Sequence, residues 1–465
     1  MEKREQYKRI LMFACAAAIV IMLTGIFAYV WYSSYANDKT IIVETFWRRG
    51  NYVVIGLYSL MLLLFFKLYG GLNVGHLRVY EVIYSQLLSL LCVNAVTYLQ
   101  MCLIGRWRFL DHVKPILSMT VVETAVIVLW ALISRWAYLT IYPPRKLILI
   151  YGDYNPEGLI KKIGTREDKY SIEKVIPYTE DIERIEEQIL DYNGVVLTDI
   201  PSGIRNKILK FCFEKDIRCY SVPKISDIMI MSAEDIHMFD TSLLLFRNSG
   251  LSFEQQFLKR LFDIVCSLIA IVIASPFMLL IAICIKAYDG GPVFFTQDRL
   301  TKDNEVFKVY KFRSMRVEKE VGEYRMTRKN DDRVTPVGKV IRNIHFDELP
   351  QLFNILKGEM SFVGPRPETP QIAEKYKKMI PEFDFRLKVK AGLTGFAQVY
   401  GKYNTTPYDK LKLDLTYIRN YSFWLDIKLM LLTVKILFQK ENTEGIESWQ
   451  TTAATQDNLD KLSQK

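Results

Sequence analysis

The sequence has few of the residues from which metal centres and disulfide frameworks are built. Its 465 residues include only four histidines and seven cysteines, and no two cysteines form a CxxC pair. The scattered histidines argue against a histidine-based zinc site. Most cysteines lie in apolar runs, where cysteine acts as a small hydrophobic residue. We therefore expect free thiols, and a reducing compartment for the polar parts of the chain.

Charge and hydropathy are both high, and the hydropathy is unevenly spread. The net charge is +10, the isoelectric point is about 9.0, half of the residues are hydrophobic, and the mean hydropathy is +0.08. A basic chain suits nucleic acid, anionic lipid headgroups or phosphorylated substrates. Because the apolar residues concentrate in the first third of the chain, we expect a membrane protein that does not bind nucleic acid.

Four apolar segments in this first third predict membrane spans, and most reach the ~20 residues that cross a bilayer. They are Ile10–Trp31, Tyr52–Leu68, Val82–Ile104 and Ile116–Leu139. No small-residue cleavage site follows the first segment, so it is not predicted to be a signal peptide.

Basic residues around these spans set the predicted orientation. The first span is preceded by Lys3, Arg4, Lys8 and Arg9. This bias places the N-terminus in the cytoplasm, and four spans return the chain to it. The arginines at 106 and 108 depart from the rule, because they fall in a predicted outer loop.

After the spans, alternating strand and helix patterns predict a small parallel α/β domain of Rossmann-like type at residues 145–250. The run "KLILIYGD" predicts a buried strand, "GVVLTD" and "IRCYSVP" predict further strands, and Asp181–Tyr192 and Ile204–Lys215 predict helices. "YGDYNPEG" departs from GxGxxG, so the sequence does not predict a dinucleotide site. A scaffold or regulatory role is expected instead.

A fifth apolar run, Ile264–Ile285, carries no charge but contains Ser275 and Pro276 at its middle. Proline removes a helix hydrogen bond and kinks the helix. Two structures fit: a kinked fifth span, or a helix that enters the membrane and returns to the same side. Basic residues at both ends, namely Lys259, Arg260 and Lys286, suit the second, but the residues alone leave both structures open. A full span would also place the remaining chain outside the cell.

Two adjacent carboxylates, Asp347 and Glu348, lie in "FDELPQLF". Apolar residues at helical spacing follow them, and Pro350 is tolerated in a first helical turn. We therefore predict a helix that begins near Asp347, whose free N–H groups and dipole favour the ionised carboxylate. An ionised carboxylate can attack phosphorus, and Glu348 offers the oxygen that Mg²⁺ prefers. Taken alone, the pair fits a helix cap beside a solvated glutamate better than it fits a nucleophile beside a metal ligand.

Several basic residues are candidates for binding phosphate. Arg366 lies in the stiff loop "VGPRPE" after Pro365, and Arg299, Lys311 and Arg313 lie near predicted strands. A guanidinium group matches phosphate oxygens well, although each of these residues alone also fits a surface charge. His345, two residues before Asp347, is close enough in sequence to reach the site, but it is expected to pack or to face water.

The last hydrophobic segment, residues 421–440, mixes aliphatic and aromatic residues with lysines. It predicts either an amphipathic helix at headgroup level or a helix buried in the core. The tail at 446–465 is polar and is expected to be mobile.

The chain from Lys259 onward resembles the bacterial sugar transferase family, the monotopic polyprenyl-phosphate sugar-1-phosphate transferases. The matching runs are "LKRLFDIV…ASPF", "GPVFFTQDRL", "FKVYKFRSM", "DDRVTPVGKVIRNIHFDELPQLFNILKGEMSFVGPRPE", "VKAGLTGFAQVYGK" and "LDLTYIRNYSFWLDIKLMLLT". The four spans and α/β domain also resemble the family's longer members. One departure is Ala391, where many relatives have proline.

The resemblance implies a specific reaction and specific roles. The enzyme would move a hexose 1-phosphate from a UDP-sugar to polyprenyl phosphate at the membrane and release UMP. Asp347 would be the nucleophile and form a covalent aspartyl-phosphosugar, and Glu348 would help to bind Mg²⁺ together with it. The phosphate candidates would bind substrate. The helix at about 259–286 would be re-entrant. Its characteristic residues would be Lys259, Arg260, Asp263, Ser275 and Pro276.

The predicted architecture is therefore a multi-pass protein of the bacterial cytoplasmic membrane. It comprises an α-helical four-span bundle at 1–144, the α/β domain at 145–250, and an α-rich α+β monotopic catalytic domain at 251–445 that faces the cytoplasm. The expected role is the first step of exopolysaccharide or capsule synthesis. The transferred sugar and the oligomeric state, including a homo-oligomer, stay open.

Two other functions fit parts of the sequence. A glycosyltransferase that moves only the sugar would release UDP and typically carry a DxD motif, which the chain lacks. A membrane sensor would use the α/β domain to bind a ligand and would not need Asp347. The long resemblance favours the phosphotransferase over both.

Overall fold

The computed structural model describes residues 7–36, 48–104, 113–153, 155–231, 233–246, 250–315, 333–401 and 405–437. These residues form two compact units, which divide between Val222 and Pro223. Several features expected from the sequence lie outside the described residues: Lys3 and Arg4, the loop arginines at 106 and 108, and the tail at 446–465.

The first unit begins with four long helices that bury large apolar side chains between them. They are α1 (Lys8–Val30), α2 (Arg48–Tyr69), α3 (Val79–Ile104) and α4 (Lys114–Ile141). A shared core includes Leu23, Phe27, Tyr58 and Leu90, while many other apolar side chains on the helices are exposed. Helices that are apolar on all sides are typical of a membrane bundle.

Glu123 of α4 is fully buried inside this bundle. The Tyr58 hydroxyl donates to its Oε1 at 2.7 Å, and the Asn94 amide donates to its Oε2 at 2.9 Å. Polar groups in an apolar environment are costly unless they are hydrogen-bonded, so this network fixes how α2, α3 and α4 pack together.

A four-stranded parallel sheet follows the bundle, in the order β2-β1-β3-β4. Its strands are β1 (Arg145–Tyr151), β2 (Tyr170–Pro177), β3 (Gly194–Thr198) and β4 (Arg218–Ser221), and its helices are α5 (Glu157–Gly164), α6 (Ile182–Ile189) and α7 (Ser202–Glu214). The central strands β1 and β3 are buried, as their continuous apolar runs predict. The α/β content expected from the sequence is confirmed, with β2 as an additional strand.

The second unit holds a hairpin, one very long helix and a set of short elements. These are α8 (Ile225–Ile230), β5 (Glu234–Met238), β6 (Thr241–Leu245), α9 (Phe253–Asp289), β7 (Phe294–Leu300), β8 (Val306–Phe312), α10 (Pro336–Asn343), α11 (Gln351–Lys357), β9 (Ser361–Val363), α12 (Pro370–Met379), β10 (Gly392–Thr394), α13 (Phe396–Tyr400), α14 (Pro407–Arg419) and α15 (Phe423–Leu437). Residues 223–250, grouped with the α/β domain in the sequence analysis, belong to this unit.

Thr-Pro pairs begin three helices of the second unit. Thr335, Thr369 and Thr406 each accept a hydrogen bond from a backbone N–H in the first turn, and a proline follows each of them. This arrangement satisfies an otherwise free helix N–H and presets the backbone of the first turn.

The helix α9 is 37 residues long, about 55 Å at the usual rise per residue. Its N-cap residue is Ser252, which forms a capping box with Gln255. Its C-cap residue is Gly290, whose φ of 69° is left-handed, as is common at a helix C-terminus. With α1 to α4 it makes five helices among the described residues that are long and apolar enough to cross a membrane.

One face of α9 packs against other elements of the second unit along most of its length. Its first half packs against α11, β9 and α15, and in its second half Met278, Ile281 and Ile285 share a cluster with Phe312 and Ile341. The opposite face exposes a row of apolar side chains, including Leu268, Val272, Ile273 and Leu279.

The helix α15 packs one face on the core and leaves another exposed. Asp426 and Leu429 are buried, whereas Trp424 is largely exposed. Of the two structures predicted for this segment, the buried core helix describes the inner face of α15. Residues 438–440 of the predicted segment lie outside the described residues.

Candidate active site

The acidic pair lies on a short 3₁₀ turn, Phe346–Glu348, rather than on an α-helix. The following helix α11 begins at Gln351, with Pro350 at its N-cap. The sequence predicts a helix that begins near Asp347; the α-helix begins four residues later, at Gln351, so Asp347 is not its N-cap. His345, whose φ of 57° is left-handed, interrupts the helical path after α10 and immediately precedes the turn.

Glu348 is held by two basic side chains. Lys311 Nζ lies 2.6 Å and Arg366 Nη2 lies 3.1 Å from the same oxygen, Oε1. Burial by itself raises the pKa of Glu348, but Lys311 and then Arg366 outweigh it, so the pKa lies well below its usual value. This carboxylate is ionised throughout the physiological range.

Asp347 differs sharply from its neighbour. Its carboxylate accepts no hydrogen bond from any residue that the structure describes, and the side chain is only half-buried. Burial raises its pKa above the usual value, against the opposing charge of Lys311, while Glu348 adds to the increase. Adjacent carboxylates with pKa values shifted in opposite directions are typical of acid and nucleophile pairs in active sites.

The sequence analysis did not include Arg342 among the candidate site residues. It lies in the last turn of α10, and its positive charge opposes the rise in the pKa of Asp347. Its position five residues before Asp347 is the only sequence signal. His345 is half-buried, as expected, yet its Nδ1 is buried with no hydrogen-bond partner in the described residues.

The backbone of the loop that carries Arg366 is held in place by the neighbouring β10 segment. Strands β9 and β10 pair in parallel, and Gly364 packs so tightly that an added Cβ would lie 2.3 Å from the Lys390 carbonyl oxygen. Pro365 is buried, and its carbonyl accepts a hydrogen bond from Gly392 N at 2.9 Å. Arg366 therefore extends from a rigid backbone.

A buried ionic network supports the same loop. Arg386 donates to the Arg366 carbonyl at 3.0 Å and to Asp414 Oδ2 at 2.8 Å. Glu368 pairs with Lys410 and lies 3.6 Å from Arg386. Burial alone raises the pKa of Glu368, but Lys410 and Arg386 lower it to about 2. These residues hold the loop and do not face the acidic pair.

Two predicted phosphate ligands make other contacts. Arg299 donates to the Pro367 carbonyl at 3.0 Å and to Gln297 at 2.8 Å, so it supports the Arg366 loop. Arg313 is buried and pairs with Asp289 at the end of α9. Neither contacts the acidic pair in the described part of the chain.

The polar residues predicted for the re-entrant helix bind α9 to other elements of the second unit. Lys259 is buried and lies 2.5 Å from Asp426 Oδ2. Arg260 donates to two carbonyls at the end of α11, those of Ile355 and Leu356, both at 2.7 Å. Such donors satisfy the free carbonyls of a helix C-terminus.

Asp263 makes the equivalent contact with β9. Its Oδ1 accepts from Ser361 Oγ at 3.1 Å and from Phe362 N at 3.0 Å. At the middle of α9, Ser275 Oγ donates to the Val272 carbonyl at 2.8 Å, within the turn that precedes Pro276. Serine thus satisfies a carbonyl near the proline.

The donor set of the acidic pair fits a hard divalent cation. No three histidine, cysteine or acidic side chains cluster in the described ranges. Glu348 Oε2 and both Asp347 oxygens accept no hydrogen bond there. Mg²⁺ commonly binds one or two carboxylates and takes its other ligands from water and substrate phosphates, so this set is sufficient.

Comparison with known proteins identifies the segment that carries this site. The family model described as bacterial sugar transferase matches residues 254–440. A relative from Aeromonas hydrophila, named UDP-N-acetylgalactosamine-undecaprenyl-phosphate N-acetylgalactosaminephosphotransferase, is 37% identical over 252 residues, which are 53% of this chain and 59% of the relative.

Two further relatives are named UDP-glucose:undecaprenyl-phosphate glucose-1-phosphate transferase. The Klebsiella pneumoniae protein is 45% identical over 181 residues, 38% of this chain and 39% of the relative. The Caulobacter vibrioides protein is 36% identical over 189 residues, 40% of this chain and 71% of the relative. The chain thus spans less than two thirds of the first two relatives and more than two thirds of the third.

Proposed function

Because this chain belongs to the bacterial sugar transferase family, we propose that it transfers a hexose 1-phosphate from a UDP-sugar to a polyprenyl phosphate such as undecaprenyl phosphate. UMP is released. The observation that carries this proposal is the unequal acidic pair: Glu348 is neutralised by Lys311 and Arg366, while the Asp347 carboxylate has no hydrogen-bond partner in the described residues.

The reaction follows from these two environments. An oxygen of ionised Asp347 attacks the phosphorus that bears the sugar, the bond from this phosphorus to the bridging oxygen breaks, and UMP leaves with that oxygen. The product is an aspartyl-phosphosugar. An oxygen of the polyprenyl phosphate then attacks the same phosphorus, and Asp347 is released as a carboxylate. The lipid product carries the sugar on a diphosphate.

Positive charge around the pair has a defined part in both steps. Arg366 uses one nitrogen for Glu348, and its half-exposed side chain leaves other N–H groups for the diphosphate. Lys311 adds charge beside the same carboxylate. Positioned cations of this kind stabilise the charge that develops as a phosphoryl group is transferred.

Glu348, together with Asp347, is the proposed site for Mg²⁺. A bound Mg²⁺ would neutralise diphosphate charge and so reduce its repulsion of the attacking carboxylate. The lysine and arginine on Glu348 Oε1 orient this carboxylate and leave Oε2 for the cation.

The membrane arrangement follows from the lipid substrate. We propose four spans with a cytoplasmic N-terminus in the bacterial inner membrane, followed by a Rossmann-like domain and a catalytic domain on the cytoplasmic side. Because α9 contacts one compact unit along both of its halves, it is proposed to be re-entrant. The exposed apolar face of α9 would lie in lipid, which brings Asp347 to the depth of a polyprenyl phosphate headgroup.

The sugar is proposed to be a hexose or an N-acetylated hexose, because the relatives are named for glucose and for N-acetylgalactosamine. The product would begin the assembly of an exopolysaccharide, a capsule or a similar glycan.

Product identity tests the proposal. Purified protein in lipid is mixed with Mg²⁺, undecaprenyl phosphate and a panel of UDP-sugars, and UMP and UDP are quantified. We expect UMP from at least one sugar, with its loss in Asp347→Asn and its retention in Asp303→Asn, which changes an exposed carboxylate elsewhere in the second unit. Release of UDP would instead indicate glycosyl transfer.

A further inference from the structure

The first unit contains a cavity of about 430 Å³ where the helical bundle meets the α/β segment. The start of α3 and the end of α4 form two of its walls, and residues 164–168 form a third. Val74, Leu77 and Leu139 give it an apolar part, while Arg78 and Arg135 give it a cationic part. A site with both parts suits a ligand that is charged at one end and apolar at the other.

Hydrogen bonds across the junction build this cavity. Arg78 donates to the Thr165 carbonyl at 2.6 Å. From the opposite side, Arg166 and Lys169 donate to the His76 carbonyl at 2.6 and 3.3 Å. The cavity is thus bounded by contacts between two parts of one compact unit.

Positive charge in and around the cavity exceeds negative charge. Arg135 is exposed and has no partner among the described residues, and the guanidinium of Arg78 contacts only Tyr80 and a carbonyl oxygen there. Lys8 lies 5.1 Å from the ring of Tyr138, another lining residue. The cations of this group, Lys8, Arg78, Arg135, Arg166 and Lys169, outnumber the carboxylates Glu81, Glu167 and Asp168.

Two of the three carboxylates accept hydrogen bonds from their neighbours. Asp168 accepts two hydrogen bonds from Arg166, at 2.9 and 3.0 Å, and Glu81 accepts from the Arg78 backbone N–H at 2.8 Å. Glu167 lines the cavity but is exposed to solvent. The side chains of Arg78 and Arg135 form no ion pair with a carboxylate of the described residues, so the cavity keeps an excess of positive charge.

Burial and neighbouring positive charges lower the pKa values of two basic residues near the cavity, Lys169 and His76. Burial lowers the pKa of Lys169 to about 8, and the charges of Arg166 and Lys8 add to the decrease. Burial also lowers the pKa of His76, with further decreases from Lys169 and Lys8. A bound anion would relieve this repulsion.

We propose that this cavity binds a phosphate-bearing anion, with the phosphate at Arg78 and Arg135. The ligand that the position favours is an anionic phospholipid. The cavity lies at the ends of candidate spanning helices, and Tyr80 and Trp136 beside it are exposed, as aromatic residues at a headgroup layer commonly are. The acyl chains would lie along Val74, Leu77 and Leu139, and the site would tie the α/β segment to the membrane surface.

The test measures binding and does not depend on catalysis. Full-length protein in zwitterionic detergent is titrated with phosphatidylglycerol, with phosphatidylcholine, and with inorganic phosphate; the thermal midpoint and the lipid retained in native mass spectra are recorded. We expect phosphatidylglycerol, but not phosphatidylcholine, to raise the midpoint. Arg78→Gln/Arg135→Gln should weaken this binding by about tenfold or more, because two charge-assisted contacts are lost.

Two variants keep the result interpretable. Lys207→Gln/Lys210→Gln removes the same charge from exposed positions on α7, outside the cavity, and should bind as the wild type does. Arg135→Gln alone removes an exposed side chain with no described partner, so it tests the site even where the double variant does not fold.

The outcomes separate the two sources of phosphate. Protection by inorganic phosphate equal to that by phosphatidylglycerol, and lost in the same variants, would show a phosphate site and overturn the lipid assignment. Equal phosphatidylglycerol binding by the wild type and by Arg135→Gln would overturn the site itself.

Discussion

The ring of Phe346 packs edge-on against the ring of Phe277, with centroids 6.2 Å apart and planes at 68°. Phe346 immediately precedes Asp347, and Phe277 immediately follows Pro276 of α9. The turn that carries the proposed nucleophile therefore packs, through Phe346, against the helix that is proposed to enter the membrane. The contact links the depth of α9 in lipid to the position of the reacting carboxylate.

This contact predicts the effect of Phe346→Ala. Loss of a half-buried ring should cost about 1–2 kcal/mol of stability and loosen the turn. Because Arg366, the proposed ligand of the diphosphate, is unchanged, kcat should fall by about tenfold with little change in KM for the UDP-sugar. Phe346→Leu should restore part of the rate.

Steady-state kinetics of UMP release check this prediction. Phe253→Ala removes an exposed phenylalanine from the start of α9, far from the contact with Phe346, and serves as the control. A larger change in KM than in kcat for Phe346→Ala would contradict a positioning role.

The local structure of the acidic pair shows what sequence patterns could and could not predict. Apolar patterns predicted the helices of the bundle and the strands β1 and β3, because burial of continuous apolar runs determines those elements. Strand β4 was also predicted, although it is only partly buried. Apolar patterns did not predict the left-handed backbone at His345 or the 3₁₀ turn that follows it. Periodicity does not report a single residue with positive φ.

Long-range contacts were the other limit. Arg299 and Arg313 were predicted, with Arg366, to bind phosphate because guanidinium groups match phosphate oxygens, yet Arg299 supports a loop and Arg313 pairs with Asp289. Glu123 was hidden within an apolar run. Partners that are distant in sequence decide these roles, and one sequence does not contain that information.

Lys311 provides a second prediction. In Lys311→Gln, Glu348 would lose its nearer cation, and the proposed diphosphate site would lose one positive charge. We expect kcat/KM for the UDP-sugar to fall by about a hundredfold, the scale typical of a lost electrostatic contact in an active site. Lys311→Arg should recover part of the activity.

Lys308→Gln is the matched control for this measurement. It lies on the same strand, and its side chain is exposed and contacts neither carboxylate in the described residues. An equal loss in Lys308→Gln would mean that general charge, and not the contact with Glu348, is responsible.

The proposed re-entrant course of α9 predicts where its two ends can be labelled. Cysteines introduced at Phe253 and at Tyr288, both exposed, mark the start and the end of the helix. A membrane-impermeant maleimide should label both in inverted vesicles and neither in right-side-out vesicles. The unmodified chain measures background from the native cysteines. Labelling of the two ends from opposite sides would show that α9 spans the membrane.

Gly364 provides a prediction on the backbone beneath Arg366. In Gly364→Ala the new Cβ would lie 2.3 Å from the Lys390 carbonyl oxygen and 3.0 Å from Gly392 N. Two backbone segments must separate, so we expect a loss of about 2–3 kcal/mol and a marked loss of activity as Arg366 shifts. Gly203→Ala meets nothing within 4 Å and should leave the unfolding midpoint almost unchanged. Equal midpoints for the two variants would contradict the tight packing.

The network under the same loop predicts how stability depends on pH. Glu368 has a pKa of about 2 in the folded protein, since Lys410 and Arg386 outweigh the effect of burial, whereas a glutamate in the unfolded chain titrates at about 4.5. Its ionisation therefore stabilises the fold above pH 4.5, and this contribution is lost as the pH falls from about 4.5 to about 2. The contribution at neutral pH is on the order of 2–3 kcal/mol.

Glu368→Gln should thus be less stable than the wild type at pH 7, and the difference between the unfolding midpoints should shrink as the pH falls below about 4.5. Glu374→Gln removes an exposed carboxylate from the nearby helix α12 and should show no such convergence. Thermal unfolding of the purified protein at several pH values makes the comparison. A constant difference from pH 7 to pH 3 would mean that hydrogen-bond geometry, and not the charge of Glu368, holds the loop that carries Arg366.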